Sequence, residues 1–402
     1  MSRLGLVLLL SLATLMGCAS SPLSTVPVVN ATPAPPPRTP QPAAAPANAA
    51  SPEPADGVVV TPLKPEAEVE KPKQPSAAGA HIALLLPLKS RDFGRAADAV
   101  RAGFEAAAAF QADDALRVNV YPLDDEADSL LAAYKDATAA GARCIVAGIT
   151  RDGAAAIAAT SAINAPTLML NQVDRAQMPA APFYTLSLSL DNDARQVARL
   201  MARQGHRRIA VLTGTSSLSK RVRDAFEQEW SSLGGEFAAR LDVGPDPAQY
   251  ARLRAAVQGA DAIFIAAESP LIRQVRPYII GSAPTYATSQ VYDGKSTPGV
   301  NVDLDGIRFV DLPWLVEPTH PAVAIYPRSA KALSADLDRL YALGIDAYRL
   351  AYLFATKGPS QTQSLDGVTG RITLADGHQF QRDLSSAYFD NSQVLALPAP
   401  AQ

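Results

Sequence analysis

The sequence predicts an α/β protein made of two doubly wound lobes, preceded by a disordered tether rich in proline and alanine. Three observations lead to this prediction. His81 to Leu86, followed by Pro87, is a short apolar run without alternation, which is typical of a fully buried strand in a parallel sheet. Strand-like and helix-like patterns then alternate in two successive series. Before His81, the composition is that of an unfolded segment.

The first residues have the pattern of an export signal. Arg3 precedes an apolar run, Leu4 to Met16, that is too short for a permanent membrane span. Leu15-Met16-Gly17-Cys18 resembles the lipobox of bacterial lipoproteins, which implies that residues 1–17 are removed and that Cys18 is lipidated. The alternative is an ordinary signal in which Cys18 merely follows a small residue. Ala19, rather than Asp, follows the cysteine, and in enteric-type sorting this implies an outer-membrane anchor facing the periplasm.

Residues 18–80 are predicted to form the tether. Residues 19–80 contain 15 of the 33 prolines, together with many alanine, serine and charged residues. Such a segment buries too little apolar surface to fold, and proline biases it toward extended polyproline II. About 60 residues at ~3.1 Å each could reach roughly 190 Å when fully extended. The alternative is a passive linker whose length has no role.

The first series of elements begins at His81. Apolar residues at helical spacing, such as Ala97, Val100 and Phe104, indicate helices, whereas alternating or continuous apolar runs indicate strands. These patterns predict strands at 81–86, 117–123, 144–147 and 167–170, and helices at 94–111, 127–140 and 153–161.

A second series follows a strand at 183–188. Asp191 is predicted to cap a helix whose apolar positions include Ala194, Val197 and Met201. Further strands are predicted at 208–212, 236–243 and 262–266, and further helices at 219–233, 247–257 and 271–280. This second set of strand–helix units indicates a second lobe of the same architecture.

The remainder is less regular. Residues 284–299 are rich in turn formers, and 307–312 resemble a strand. A helical region at 331–357 is predicted to be interrupted at Gly344. Residues 366–382 are predicted to form a hairpin with Asp376-Gly377 in its turn.

The composition excludes several classes of function. With 402 residues and 48% apolar content, the chain can build two sizeable cores. Its net charge of −3 argues against nucleic acid, because phosphates require a basic surface. Two cysteines, Cys18 and Cys144, cannot form a disulfide framework, and Cys144 lies in an apolar strand where it is predicted to be a buried filler.

No enzymatic or metal chemistry is predicted. The four histidines lack metal-ligand spacing, and there is no glycine loop of the kind that holds phosphate. Ser217-Leu218-Ser219-Lys220 matches the Ser-x-x-Lys nucleophile motif, but its usual companion motifs are absent and the serine stands where a helix cap is expected. We therefore expect no cofactor, no metal and no catalytic residue.

Three stretches resemble the type I periplasmic binding proteins, the fold of branched-chain amino-acid receptors. They are the first strand, Ile82 to Pro87; Gly344-Ile345-Asp346-Ala347-Tyr348; and Gly367 to Leu374 with Asp376-Gly377. The resemblance implies two lobes joined by a three-strand hinge, with the chain crossing near residues 187, 309 and 363. On this basis, lobe 1 comprises 81–187 and returns at 309–362, lobe 2 comprises 188–308, and 363–402 form a terminal hairpin and tail of lobe 2.

The fold places a cleft between the lobes, lined by loops at the carboxyl ends of strands. Arg151 could bind an anionic ligand, or it could pair with an acid such as Asp152 or Glu268 and close the cleft; we favour the second interpretation. The candidate cleft residues are Ser90, Arg91, Thr150, Arg151 and Asn171 from the first lobe, and Thr213, Thr215, Glu268 and Ser289 from the second.

A closer resemblance exists within this fold. Tyr286 to Tyr292, Asp303 to Leu315 and Leu340 to Tyr348 together resemble the C-terminal domain of the outer-membrane lipoprotein activators of class A penicillin-binding proteins. The resemblance implies a non-enzymatic protein that docks on a peptidoglycan synthase and stimulates cross-linking. The long members of that family carry an N-terminal helical repeat domain, whereas here the tether leads directly into the first strand.

The residues that would contact the partner are proposed by type. Interface anchors are often aromatic residues or arginine, so Tyr292, Arg308 and Trp314 form the candidate partner surface. For Trp314, burial in the core where the chain crosses between lobes is the alternative. The alternative function is a solute-binding lipoprotein that presents an amino-acid-like ligand to an ABC importer, although we do not expect a small-molecule ligand.

Overall fold

The computed structural model describes residues 79–397 except 112–115, 125–126, 161–162, 180–181 and 296. The predicted signal peptide, Cys18 and the tether lie outside the described residues. None of the helices in the described part combines the length and the apolar content that crossing a membrane requires.

The described chain alternates between strands and helices, and confirms the predicted α/β fold class. The strands are β1 (His81–Leu86), β2 (Arg117–Pro122), β3 (Ala142–Ala147), β4 (Thr167–Met169), β5 (Phe183–Leu186), β6 (Arg208–Gly214), β7 (Glu236–Val243), β8 (Ala262–Ala266), β9 (Thr285–Ala287), β10 (Ile307–Asp311), β11 (Ser364–Gly367), β12 (Gly370–Ala375), β13 (Gln379–Asp383), β14 (Ser385–Asp390) and β15 (Gln393–Ala396). The helices are α1 (Gly94–Phe110), α2 (Ala127–Ala139), α3 (Arg151–Ala158), α4 (Leu190–Arg203), α5 (Ser217–Ser232), α6 (Leu253–Ala256), α7 (Ser269–Ile279), α8 (Pro313–Val316), α9 (Pro321–Ala324) and α10 (Ala335–Lys357).

The strands form two sheets, one in each lobe. The first has the order β2-β1-β3-β4-β5-β13-β12-β11, and the second has the order β7-β6-β8-β9-β10-β14-β15. The first five strands of each sheet are parallel and follow the doubly wound order 2-1-3-4-5. Helices cover both faces of each sheet, so β1 is fully buried, as its unbroken apolar run predicted.

The chain crosses between the sheets three times. The first crossing, residues 187–189, joins β5 to α4, and the second leads from β10 to α10, near the two positions predicted. The third crossing lies at Leu384, between β13 and β14, and not near residue 363. Assigning all of 363–402 to the second lobe was therefore wrong. Strand β13 pairs in parallel with β5, and Ile372 and Phe380 belong to the first core, so the hairpin completes the first sheet.

Helix α10 packs across α1 with almost no space between the two backbones. A Cβ atom added at Gly344 would lie 2.1 Å from the carbonyl oxygen of Val100, and one added at Gly103 would lie 1.9 Å from that of Tyr341. The helix runs unbroken from Ala335 to Lys357, so the predicted interruption at Gly344 was wrong. The glycine is explained by the close approach of α1 rather than by a break in α10.

Two local details also differ from the prediction. Ser189, not Asp191, caps α4, because its hydroxyl accepts a hydrogen bond from the Asn192 amide (3.4 Å). The turn-rich stretch after residue 284 contains β9, a strand of only three residues, which is too short to show a period.

Candidate functional site

A cleft of about 580 Å³ lies between the two lobes, beside the first and third crossings. Its walls come from α3, the start of α4 and β13. Five arginines and three aspartates line it, which makes it a basic feature of an acidic chain. They are Arg151, Arg195, Arg199, Arg221 and Arg382, and Asp174, Asp191 and Asp376.

Of the nine predicted cleft residues, Arg151 alone is among those that line this cavity. Among the described residues it forms no ion pair with Asp152 or Glu268, and its pairing with another acid of the cleft wall stays a prediction. Arg91, Thr215 and Glu268 are exposed on the surface, and Thr213 is buried. The structure therefore does not gather the predicted residues around one ligand position.

The predicted cleft residues with small polar side chains form hydrogen bonds within the protein. The Thr150 hydroxyl accepts from the Gly153 amide (3.1 Å) and so caps α3, while Asn171 Nδ2 donates to the Ile149 carbonyl oxygen (2.8 Å). The Ser90 hydroxyl accepts from the amides of Asp92 and Phe93 (3.1 and 2.8 Å). The Ser289 hydroxyl donates to Asp193 Oδ2 (2.6 Å). These groups stabilise loops and helix ends instead of facing the cleft.

A buried polar network, which sequence reasoning did not identify, holds the third crossing against the second lobe. Arg382 Nε donates to the Ser187 carbonyl oxygen (2.9 Å). The Arg382 carbonyl oxygen accepts from Gln196 Nε2 (2.8 Å), and Gln196 Oε1 accepts from the Leu384 amide (2.7 Å). Burial raises the pKa of Asp193 to about 6, although the nearby Arg382 guanidinium opposes this shift. Charged groups of both lobes thus meet where the chain crosses.

A buried ion pair holds the second crossing. Arg339 of α10 donates through Nε and Nη2 to the two oxygens of Asp311 (3.0 and 2.6 Å), at the end of β10. Its Nη2 also donates to the carbonyl oxygens of Ser289 and Tyr292 (2.9 and 3.0 Å). Planar, bidentate geometry of this kind is the strong form of an arginine–carboxylate pair. It fastens α10, which packs on the first lobe, to the second sheet.

Asp346 organises the terminal hairpin from the middle of α10. Its fully buried carboxylate accepts from the amides of Val368 (3.1 Å) and Thr369 (2.7 Å), and from the Thr369 hydroxyl (2.7 Å). Burial raises the pKa of Asp346, while Arg349 and these donors oppose the rise. The aspartate of the Gly-Ile-Asp-Ala-Tyr stretch therefore has a structural role.

The predicted partner surface is corrected at two of its three positions. Trp314 is fully buried, and Tyr292 is 6% exposed, so neither side chain can lie flat against a partner. The ring of Trp314 packs below Arg328, and its Nε1 donates to Asp338 Oδ1 (2.8 Å). Arg308 is partly exposed and donates to Gln204 Oε1 (2.7 Å) and Tyr286 Oη (2.8 Å). Its contact with a partner stays a prediction.

The other side chains that the sequence suggested as possible reactive groups have structural roles. Cys144 is completely buried in β3, and this burial raises the pKa of its thiol, which opposes thiolate formation. Ser217 opens α5, whose cap is the neighbouring Ser216. Within the described part of the chain, no three His, Cys, Asp or Glu side chains are grouped so that they could hold a metal ion.

Comparison with known proteins identifies the family of this chain and several of its relatives. The family model described as "LppC putative lipoprotein" matches residues 73–257 and 248–392, which covers both lobes. The penicillin-binding protein activator LpoA of Photobacterium profundum is 25% identical over 350 residues, covering 78% of this chain and 56% of the relative. The chain spans 37%, 56% and 46% of the length of the first three curated relatives, each of which is named LpoA.

Two solved structures have the same fold. The C-domain of LpoA from Haemophilus influenzae, described as a regulator of PBP1A, aligns over 79% of this chain and all of its own length, with 22% identity and a TM-score of 0.67. A putative branched-chain amino acid ABC transporter protein from Chromobacterium violaceum aligns over 77% of this chain and 99% of its own, with 34% identity and a TM-score of 0.68. These matches confirm the predicted fold and the predicted resemblance to the activators.

Proposed function

The chain belongs to the LppC putative lipoprotein family, and from this premise we propose that it is a non-enzymatic outer-membrane lipoprotein. In this proposal it binds and activates a class A penicillin-binding protein, and it thereby regulates peptidoglycan synthesis. The observation that carries the proposal is the family match over both lobes, together with curated relatives that are named as activators. Activation requires the protein to bind one state of the synthase in preference to another.

The structure of the cleft supports docking over ligand transport. A solute receptor of this fold needs free hydrogen-bonding groups facing the cleft and lobes that close around the ligand. Here the small polar residues predicted for that role, Thr150, Asn171 and Ser289, lie outside the cleft wall and use their side chains in internal hydrogen bonds, while five arginines and three aspartates line the wall. The buried contacts of Arg382 and Arg339 at the crossings also resist hinge motion.

The anchor is part of the proposal. Cys18 would carry the lipid, and the proline-rich residues 19–80 would let the folded lobes reach a synthase in the inner membrane. Cys18→Ala is expected to deplete the protein from the outer-membrane fraction, because it removes the site of lipidation. An unchanged distribution would contradict lipidation at Cys18.

The central test uses the full-length chain in detergent with a purified class A synthase. Binding is measured directly, and peptide cross-linking by the synthase is measured in parallel on lipid-linked peptidoglycan precursor. We expect a complex and a higher cross-linking rate, with the synthase alone as the control. Absence of both binding and stimulation would end the proposal.

A solute-binding lipoprotein is the second candidate. It is favoured by the 34% identity to a structure named as a putative branched-chain amino acid transporter, and by the basic lining of the cleft. A receptor gains about 2.7 kcal/mol of stability when its ligand is present at about 100 times the dissociation constant. We expect no change in unfolding temperature with any amino acid or small dicarboxylate. A clear stabilisation by one of them would instead favour the receptor.

A further inference from the structure

The segment that joins α9 to α10 is a basic strip on the surface of an acidic protein. Residues 325–334 read Ile-Tyr-Pro-Arg-Ser-Ala-Lys-Ala-Leu-Ser, with two cations and no acid, in a chain whose net charge is −3. Arg328 and Lys331 are both exposed. No side chain among the described residues forms an ion pair with Lys331, so its charge is available to a binding partner.

One end of this segment presents apolar side chains to solvent. Phe110, the last residue of α1, is 57% exposed, and Ile325 is 47% exposed. The Phe110 ring contacts Tyr326 edge to face, with their centroids 5.4 Å apart, and this contact places Phe110 next to the segment. Ile325 directly precedes Tyr326 in the chain, so both exposed apolar side chains belong to this end of the segment, and exposed apolar groups of this kind can serve as interface anchors.

The other end of the segment borders a pocket of about 330 Å³. Trp314 and Tyr292 line it, with Arg328 and Lys331 also in its wall. The Arg328 guanidinium lies 3.8 Å from the centre of the Trp314 ring, and its Nη1 donates to the Trp314 carbonyl oxygen (2.7 Å). The one acid in the wall, Asp338, already accepts from Trp314 Nε1 (2.8 Å). The wall thus contains two cations, Arg328 and Lys331, and one anion, Asp338, so its net charge is positive.

We infer that Phe110, residues 325–333 and the pocket over Trp314 form a docking surface for an acidic segment of the synthase. This inference rests on the proposed function and deepens it by naming the face and the chemistry of the partner. The occupant is a protein segment in which an apolar side chain contacts Phe110 and Ile325 and a carboxylate approaches Lys331. Charge complementarity selects an acidic partner, since the strip concentrates positive charge on an acidic chain.

The surface also has a position suited to regulation. Residues 325–334 belong to the second crossing, between β10 of the second sheet and α10, which packs on the first lobe. Arg339, one helical turn into α10, connects this region to Ser289 and Tyr292 of the second lobe. A partner bound here would contact the junction of the lobes rather than the cleft.

The test compares two variants of the surface with two matched controls in the full-length protein. Phe110→Ala removes the apolar anchor, and Lys331→Glu reverses the free charge. The controls are Val302→Ala, at a side chain that is 60% exposed on the second lobe, and Lys220→Glu, at an exposed position of α5. All four positions are exposed at the surface, so unfolding temperatures close to that of the parent protein are expected and are measured first.

Affinity for the class A synthase is then measured at several salt concentrations. Phe110→Ala should weaken binding about tenfold, as an anchor truncation does. Lys331→Glu should weaken it about fivefold and flatten its salt dependence. Both controls should stay within about twofold of the parent protein.

Two results would overturn the docking surface while the proposed function survives. In the first, the parent protein binds and stimulates the synthase, and both surface variants do so equally well. In the second, Phe110→Ala and Lys331→Glu keep binding to the synthase but lose a preference of the parent protein for phosphatidylglycerol over phosphatidylcholine vesicles, which would identify a lipid surface instead. If the parent protein fails to bind the synthase, the proposed function and this inference fail together.

Discussion

At the scale of single residues, the lobes are joined by charged side chains that are buried and almost fully hydrogen-bonded. Arg382, Arg339 and Asp346 each satisfy several backbone groups at a crossing or a turn. A buried charge without such partners costs several kcal/mol, so each of these residues depends on the geometry around it. Removing one partner is therefore expected to be costly.

Asp193 should make stability depend on pH. Its pKa in the folded protein is about 6, above the ordinary value of 3.8, because it is buried. The folded state thus binds this proton more tightly than the unfolded chain, so the proton stabilises the fold at low pH and the effect is lost as the pH rises through 6. Asp193→Asn removes the titrating group.

Chemical denaturation of both proteins measures this effect. The difference between their free energies of unfolding should change by about 2 kcal/mol between pH 7 and pH 4, with the parent protein gaining relative to the variant at low pH. Using the difference removes the contribution of other titrating groups. Parallel curves for the two proteins would show that burial does not raise this pKa.

Asp346 should be far more important for stability than its exposed neighbour in α10. Asp346→Ala leaves the amides of Val368 and Thr369 without an acceptor in a buried site, with an expected loss of about 3 kcal/mol. The control, Asp336→Ala, removes a carboxylate that is 91% exposed in its pair with Arg339, and should cost about 0.5 kcal/mol. Equal losses in urea denaturation would contradict this role for Asp346.

At the scale of elements, the hydrophobic period was sufficient to predict most strands and helices but not how closely they pack. Helix α1 was predicted from the spacing of Ala97, Val100 and Phe104, all of which are buried. Gly344 was interpreted as a helix break because glycine disfavours helices. The actual reason for the glycine is the close approach of α1, whose Val100 carbonyl oxygen would lie 2.1 Å from an added Cβ, and Val100 is about 240 residues earlier in the chain.

Gly344→Ala should therefore be strongly destabilising despite the better helix propensity of alanine. The added Cβ would lie 2.1 Å from the Val100 carbonyl oxygen, and backbone cannot move aside as a flexible side chain can. We expect a loss of about 3 kcal/mol, measured by urea denaturation. Gly94→Ala, whose Cβ would be an acceptable 3.4 Å from the Leu88 carbonyl oxygen, is the control and should change stability little. A tolerated Gly344→Ala would mean that α1 and α10 can separate.

At the scale of the whole molecule, neither lobe is a continuous piece of chain. The first sheet is completed by β11–β13, which come after the whole second lobe, and the second sheet is completed by β14 and β15. The core of the first lobe includes Trp314 and Tyr348 beside Ile82 and Phe104. Neither core can therefore be complete until almost the entire described chain has folded.

The two lobes should consequently unfold together. The chain has two tryptophans, with Trp230 in a core of the second lobe and Trp314 in that of the first. In Trp314→Phe the fluorescence reports the second lobe, and in Trp230→Phe it reports the first. Within each variant, the fluorescence midpoint should coincide with the midpoint from far-ultraviolet circular dichroism. Separate midpoints would show that the lobes are independent folding units.

The candidate site was much less predictable than the fold. Thr150 and Ser289 were chosen because small polar residues follow buried strands, and this placed them correctly in the chain but did not reveal their internal hydrogen-bond partners. The sequence contains only one weak indication of the network around Arg382, which is that Asp193 and Gln196 are polar residues beside the apolar stripe of α4. A basic residue that reaches them from nearly 190 positions away leaves no local pattern.

The sequence alone determined the order of strands and helices, the burial of β1 and the doubly wound architecture, because these follow from local periodicity and short connections. Only the tertiary structure decided which sheet receives the terminal hairpin, why Gly344 is a glycine, and that the Trp314 side chain is buried beneath a pocket. These outcomes depend on strand register and on close contacts between residues that are far apart in the chain. The hydrophobic periodicity of a local segment contains no information about either. The basic strip near Lys331 was visible in the sequence, but its position beside Phe110 and Trp314 required the fold.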